Sequence, residues 1–369
     1  MSSARSSEAP SVLAGVRERF EASTDLTVGI EEEYQLLDPA TMALTSRFEE
    51  LHASADEAMR PRLAGELISS EIEYRTAPHA GFAGAARDLV EGRLATAALA
   101  ERLGIGLGIA GVHLFSDWRD QRIIDTEHYR RVRDELGYIA WINNTWSIHV
   151  HCGVRGADRA VAVNTALRSV LPELLALSAN SPVFGGRATG LASTRTQIFT
   201  KSFPRCGVPD AFASWDEYAA YVRLLERTGS IVESTQIWHS VRPHHAFGTL
   251  EFRICDGQTE MGEALAVCAL IVACIAAFLR DYDEGRPLPA HPHRLIDENI
   301  WRAQRDGVEG RLIDLDRGET RPTAAAVEAL VEWSEPLHAL LGLAPFLARI
   351  PAMLDGNGAS RQLRRLREL

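Results

Sequence analysis

Residues 27–39 read TVGIEEEYQLLDP, and the fold turns on what this stretch is. Val28 and Ile30 before the acids, Tyr34, Leu36 and Leu37 after them, and an Asp38-Pro39 stop describe a β-strand. Three consecutive glutamates sit badly in a quiet strand, because Glu is depleted there. Side chains alternate across a strand, so Glu31 and Glu33 share one face about 7 Å apart while Glu32 points to the other. A solvated edge strand would carry such acids to deter aggregation. The alternative is that Glu31 and Glu33 face a cation.

The pattern recurs. In SSEIEYRT, Glu71 and Glu73 again share a strand face. Four carboxylates gather on a sheet only if something positive neutralises them. Hard oxygen donors suit Mg²⁺, or Mn²⁺, which a few carboxylates bind together with substrate phosphates. His149 and His151 in NTWSIHVHCGV put two imidazoles on one face, an arrangement that is often structural and is also how some zinc hydrolases begin a metal site. Glu251 and Arg253 in TLEFRICD share a face as either a surface ion pair or a cation ligand beside a phosphate-steadying guanidinium. Arg195 in GLASTRTQIF, and Trp238, His239 and Arg242 in QIWHSVRP, lie near turn or strand ends.

Between these strands the spacing predicts helices over 47–64, 84–103, 128–136 and 215–227. A long helix over 158–179 is broken or offset at Pro172. Strands are expected over 65–78, 144–154, 231–239 and 248–256, a Gly-rich loop over 181–190, and helices with polar loops from Pro287 onward. Strands and helices do not alternate one for one, which favours an α+β fold with a mainly antiparallel sheet over a doubly wound one. Residues 25–369 read as one domain, with 1–24 a disordered or helical lead-in. Gly106, Gly108 and Gly111 spell a dinucleotide fingerprint, but a helix precedes them and no helix follows, so they fit close strand packing instead. There is no P-loop motif, so any ATP must be held in another way.

The chain has 369 residues, 46% of them apolar and 24% charged, which allows a substantial core. A formal net charge of -11 argues against coating nucleic acid or adhering to anionic membranes. Residues 264–279, ALAVCALIVACIAAFL, are apolar for 16 positions, short of the roughly 20 a bilayer requires, and read as a buried core helix. Five widely spaced cysteines without a C-x-x-C pair, and no secretory signal, lead to a cytoplasmic expectation.

Taken together, GIEEEYQLLDP, SEIEYRT, SIHVHCGV, LPELLALSANSPVFGG, GLASTR, IWHSVRP, GTLEFRICD and WRAQRDGVEGRLID resemble, in order, the carboxylate-amine ligases, also called type 2 glutamate-cysteine ligases. The resemblance runs from Thr27 to Asp314 and implies a glutamine-synthetase-like fold, a curved antiparallel sheet flanked by helices with ATP and divalent cations on its concave face. By the same resemblance Glu31, Glu33, Glu73, His149 and Glu251 are metal ligands, with Glu73 and Arg253 at the ATP. Arg253 contacts the transferring phosphoryl group and Arg195 assists it. Trp146-Ser147-Ile148 before the H-V-H segment, Cys152 after it, and His239 in place of a second Trp depart from the family pattern and bear on the substrate pocket. The expected reaction joins a small carboxylate to a small amine at the expense of ATP, through an acyl phosphate, in a homodimer by family analogy. Two rivals are a metal-dependent amidohydrolase built on His149 and His151, and a non-catalytic relative that binds a nucleotide.

Overall fold

The computed structural model describes residues 11–368; the first ten residues of the expected lead-in lie outside that range. Numbered in chain order, the strands of the main sheet are β1 (Val28–Leu37), β2 (Leu63–Ala64), β3 (Glu71–Arg75), β4 (Gly106–Gly108), β5 (Ile148–Gly153), β6 (Val241–His244) and β7 (Thr249–Phe252). They run β6-β7-β5-β1-β3-β2, with β4 also paired to β1, and every pairing is antiparallel. The expected α+β architecture with a mainly antiparallel sheet is therefore present.

The period of two decides which face each side chain takes. Val28, Ile30, Tyr34 and Leu36 of β1 are buried with Ile148, Val150 and Cys152 of β5 and Leu250 and Phe252 of β7 in one core. Helices Phe82–Arg102, Ala157–Leu167, Leu171–Ser178 and Met261–Asp283 contribute to the same core. Met261–Asp283 is apolar and long enough to cross a bilayer by composition, with mean hydropathy 2.4, but every residue from Glu263 to Leu279 is buried inside the fold. It extends beyond the 264–279 segment because its charged ends, Glu263 and Asp283, continue the helix. Val16 and Phe20 of the helix Val16–Glu21 are fully buried in this core.

Glu32 faces this apolar side, and a carboxylate there needs partners. Arg93 Nε donates to Glu32 Oε2 at 2.9 Å and Arg93 Nη2 to Oε1, while the Tyr34 hydroxyl donates to Oε2 at 2.7 Å. Arg93 is in turn held by the carbonyls of Gln258 and Thr259. Immediately before Arg93 on the same helix, Gly92 lets the backbone approach β3. A Cβ built there would lie 2.1 Å from the Tyr74 ring. Gly92→Ala is expected to destabilise the protein by about 1–3 kcal/mol through overpacking. A urea midpoint equal to that of the native chain would contradict this.

Several elements differ from their expected form. The helix expected over 47–64 is only Phe48–Ser54, because Ala55 is extended and Asp56 Oδ1 captures the amides of Ala58 and Met59. The strand expected over 231–239 is mostly a single helical turn, Ser234–Gln236. The Gln236 side chain accepts from the amides of Val232 and Glu233 and removes them from any ladder. Only Trp238–His239 is extended, paired in parallel with Cys206–Gly207. The helical C-terminal region also contains a hairpin, Arg311–Asp314 with Glu319–Pro322, turned by the Asp314 side chain and by Gly318 at φ +69°. The long helix is offset at Pro172, as expected, by a 3₁₀ turn over Arg168–Val170. Gly106 and Gly108 lie in β4, and a Cβ on Gly111 would meet the Asp256 carboxylate at 2.6 Å, so these glycines do serve close packing.

Candidate active site

The face of the sheet opposite the core is polar across five strands. In register, Glu33 stands opposite Glu73, Gln35 opposite Glu71, Glu31 opposite both Arg75 and His149, Glu251 opposite His151, and Arg242 opposite Glu251. All of these side chains but Gln35 and His151 line a cavity of about 280 Å³ that Glu66, Tyr129, Arg195, Phe199, Trp238 and Arg253 help to close.

Glu31 is its centre. His149 Nδ1 lies 3.3 Å from Oε2 and His151 Nε2 lies 3.4 Å from Oε1. Burial opposes ionisation of Glu31, but the charge of His151 and hydrogen bonds from His149 and His151 hold it well below the usual carboxylate range. Two groups of donor atoms converge within 4.8 Å of one another: Glu31, Glu73 and His149, and Glu31, His151 and Glu251. Glu31 belongs to both. The structure thus brings together four of the five expected ligands and adds His151, whose role the sequence left open.

Glu33 lines the same cavity but is in neither group; its Oε2 accepts from the backbone amide and the hydroxyl of Ser147, the latter at 2.7 Å. That hydroxyl also sits 2.8 Å from His149 Nε2, so Ser147, one of the departures from the family pattern, orients two site residues at once. Cys152, another departure, faces the core and is fully buried. His239 stacks on Tyr221, and burial, with Arg242 next, pushes its pKa down to about 3. It therefore stays neutral.

Glu251 is held by two guanidiniums. Arg242 Nε donates to Oε2 at 2.6 Å and Arg253 Nη1 donates to Oε1. Despite burial, Arg242 and Arg253 keep this carboxyl well below its ordinary range. Arg195 donates to the carbonyls of Ile254 at 3.0 Å and Arg253 at 3.1 Å, which leaves its Nε, like that of Arg253, buried without a hydrogen-bond partner among the described residues. Beneath Arg195, Asp256 accepts from the amide of Asn180 and the hydroxyls of Ser181 and Ser193.

The charge is not balanced on the β1–β3 side. Burial, and then Glu33, Glu66 and Glu73, raise Glu71 well above the ordinary carboxylate value. Burial, and then Glu31, Glu66 and Glu33, do the same to Glu73. Burial, and then Glu33 and Glu31, push Glu66 up to about 8. A group whose folded-state pKa is raised contributes stability that is fully present below its unfolded value and is lost as pH rises through the folded one. The metal-stripped protein is therefore expected to lose melting temperature between about pH 5 and about pH 8, and Mg²⁺ to restore more of it at the upper end. Thermal melts in chelator with and without Mg²⁺ check this; an equal Mg²⁺ response at both ends would refute it.

A divalent cation fits these residues. The donors are carboxylate oxygens and imidazoles, the carboxyls on the β1–β3 side crowd one another, and His151 Nε2 is buried without a hydrogen-bond partner among the described residues. Tyr129 and Glu66 escaped the sequence reading because they lie on a helix and on an irregular segment, whereas Trp238 was among the residues singled out; Glu66, just before Leu67-Ile68, carried the one usable signal, an acid beside an apolar pair.

The profile of Glutamate-cysteine ligase family 2 matches residues 27–369. A Rubrobacter xylanophilus protein provisionally named glutamate–cysteine ligase 2-3 is 41% identical over 93% of this chain and 93% of its own. A Solibacter usitatus protein provisionally named glutamate–cysteine ligase 2 is 37% identical over 92% of this chain and 88% of its own. Among solved structures, the glutamate–cysteine ligase of Francisella tularensis in complex with AMP superposes with a TM-score of 0.66 at 12% identity, over 93% of this chain and 86% of that one. A bifunctional glutathione synthetase from Pasteurella multocida gives 0.63 at 14% identity, over 96% of this chain and 51% of that one.

Proposed function

The chain belongs to glutamate-cysteine ligase family 2, and on that premise we propose that it is an ATP-dependent carbon–nitrogen ligase that joins a small carboxylate to a small amine, with glutamate and cysteine the first pair to test. The observation that carries the reading is the convergence of donor atoms from Glu31, Glu73, His149, His151 and Glu251 at a polar cavity that also holds the carboxyls of Glu33, Glu66 and Glu71 and the guanidiniums of Arg75, Arg195, Arg242 and Arg253.

A carboxylate is a poor electrophile. Its oxygen attacks the γ-phosphorus of ATP, the bond to the bridging oxygen breaks, and ADP leaves with an acyl phosphate formed. The amine nitrogen then attacks the acyl carbon, phosphate departs with its bonding electron pair, and the nitrogen loses a proton to give the amide. Such phosphoryl transfer relies on positioning and charge neutralisation more than on covalent help from the protein. Glu31, Glu73 and His149, and Glu31, His151 and Glu251, would hold Mg²⁺ or Mn²⁺. When bound, the metal neutralises phosphate charge, which explains how an acidic chain without a P-loop takes ATP.

Arg253 supplies the fixed positive charge on this chain. Glu251 anchors one of its nitrogens while Nε remains free, so the fork is oriented before substrate arrives. Arg195 is fixed by two main-chain carbonyls and offers its own free Nε. The open antiparallel sheet gives the His149–His151 pair no barrel of further His and Asp ligands, so no observation favours the amidohydrolase reading.

The five cysteines are free and four are buried, which supports a reducing, cytosolic setting as part of the proposal. A homodimer is the expected assembly, checked by light scattering. The deciding experiment is phosphate release from Mg-ATP across a grid of amino acids as acyl donors, with amines and cysteine as acceptors. Release that requires one acid and one amine together establishes the ligase and names its pair. Binding of Mg-ATP with no release on any pair would overturn it in favour of a non-catalytic nucleotide binder.

A further inference from the structure

A second cavity, of about 660 Å³, lies away from the polar sheet face. The N-terminal turn of Leu171–Ser178, the C-terminal end of Met261–Asp283, the Arg311–Pro322 hairpin and the helix Thr323–Ser334 enclose it. One wall is apolar: Leu288, Leu330, and the rings of Phe278 and Trp333, packed 4.6 Å apart. Of the cavity's acids, Asp281 pairs with Arg280 and Arg286, Asp314 accepts from the amides of Asp316 and Arg317, and Asp316 is exposed beside His291, which leaves Glu173 and the base Arg321 to face each other. Glu173 is only 6% exposed, and its Oε1 lies 3.7 Å from Arg321 Nη2. Each also keeps one sealed polar atom without a hydrogen-bond partner among the described residues, Oε2 on Glu173 and Nε on Arg321.

Leaving a buried acceptor or donor unmade costs about 1–3 kcal/mol each, so two of them lining one cavity need a reason. The free acceptor and the free donor belong to an acid and a base a few ångströms apart, and burial pushes the Glu173 carboxyl up to about 7, so a cation placed against it would favour its ionised form. A bare metal ion is disfavoured, because a guanidinium stands beside Glu173, and neither Glu173 nor any other acid of this lining belongs to a group of converging donors among the described residues.

We propose that this cavity binds a free α-amino acid with an apolar side chain: its ammonium donates to Glu173 Oε2, its carboxylate accepts from Arg321 Nε, and its side chain packs against Phe278 and Trp333. Both charges of the zwitterion are needed, which separates the free amino acid from amines and acids, and they must stand on one carbon to reach a pair 3.7 Å apart, which separates it from peptides. The proposal does not depend on which reaction the sheet cavity performs.

Calorimetric titration of the full chain with L-leucine and L-phenylalanine tests it, with leucinamide and N-acetyl-leucine as controls. Saturable binding of the free amino acids is expected, weakened at least about tenfold by blocking either end and by Glu173→Gln or Arg321→Met. Affinity should be unchanged in Glu31→Ala, whose lesion lies in the sheet cavity. Binding lost in Glu31→Ala yet retained in Glu173→Gln would assign it to the sheet cavity and overturn the proposal, as would no binding of either amino acid. Should Glu173→Gln fail to fold, Arg321→Met, at a side chain 35% exposed, carries the comparison.

Discussion

Glu31→Ala is expected to lower metal-dependent ATP turnover by about a thousand-fold, roughly 4 kcal/mol of barrier, while leaving a folded protein. Glu31 is the one carboxylate common to both groups of converging donors, so its loss takes a ligand from each. Among the described residues its side-chain partners are His149 and His151, on a face that packs no core, and its side chain is 18% exposed. Removing it also relieves like-charge crowding, since Glu31 is the largest charged contributor to the raised value of Glu73. The melting temperature in chelator should therefore hold or rise. Phosphate release in saturating Mg-ATP checks the first expectation and a thermal melt the second. Turnover within tenfold of the native chain would remove Glu31 from the site.

The neighbouring residue should behave in the opposite way. Glu32→Ala leaves Arg93 charged and largely buried with only the two carbonyls of Gln258 and Thr259, and strips the Tyr34 hydroxyl of its acceptor. Breaking a buried pair from one side typically costs about 3–5 kcal/mol, because an uncompensated charge remains inside. For a domain whose whole stability is of order 5–15 kcal/mol, that is a large fraction. Urea unfolding should show a much lower midpoint with an unchanged slope, and the folded fraction should keep its turnover per molecule. A cost below about 1 kcal/mol would mean that the Glu32–Arg93 pair contributes little.

Much of the candidate site's face was legible in advance because strand parity is local. Once TVGIEEEYQLLDP is a strand, Glu31 and Glu33 must share a face and Glu32 must leave it, and the same holds for Glu71 with Glu73 and His149 with His151. The failures occurred where side chains competed with the ladder. Gln236 drew backbone amides out of an expected strand, and Asp56 ended an expected helix early. Neither effect leaves a periodic signal, and the hairpin near Gly318 lay in a region whose dominant period was helical.

By itself the sequence determined the chemistry of the residues, the parity of each strand and the family resemblance, all of which depend on neighbours within a few positions. The tertiary structure alone decided adjacency. It set Glu33 against Ser147 rather than in a converging donor group, gave both oxygens of Glu251 to Arg242 and Arg253, brought His151 to Glu31, and left Glu173 and Arg321 with unmade bonds in a second cavity. These pairings join segments far apart in the chain, and which strands and helices meet is settled by burying one continuous core, a cooperative outcome that no local stretch encodes.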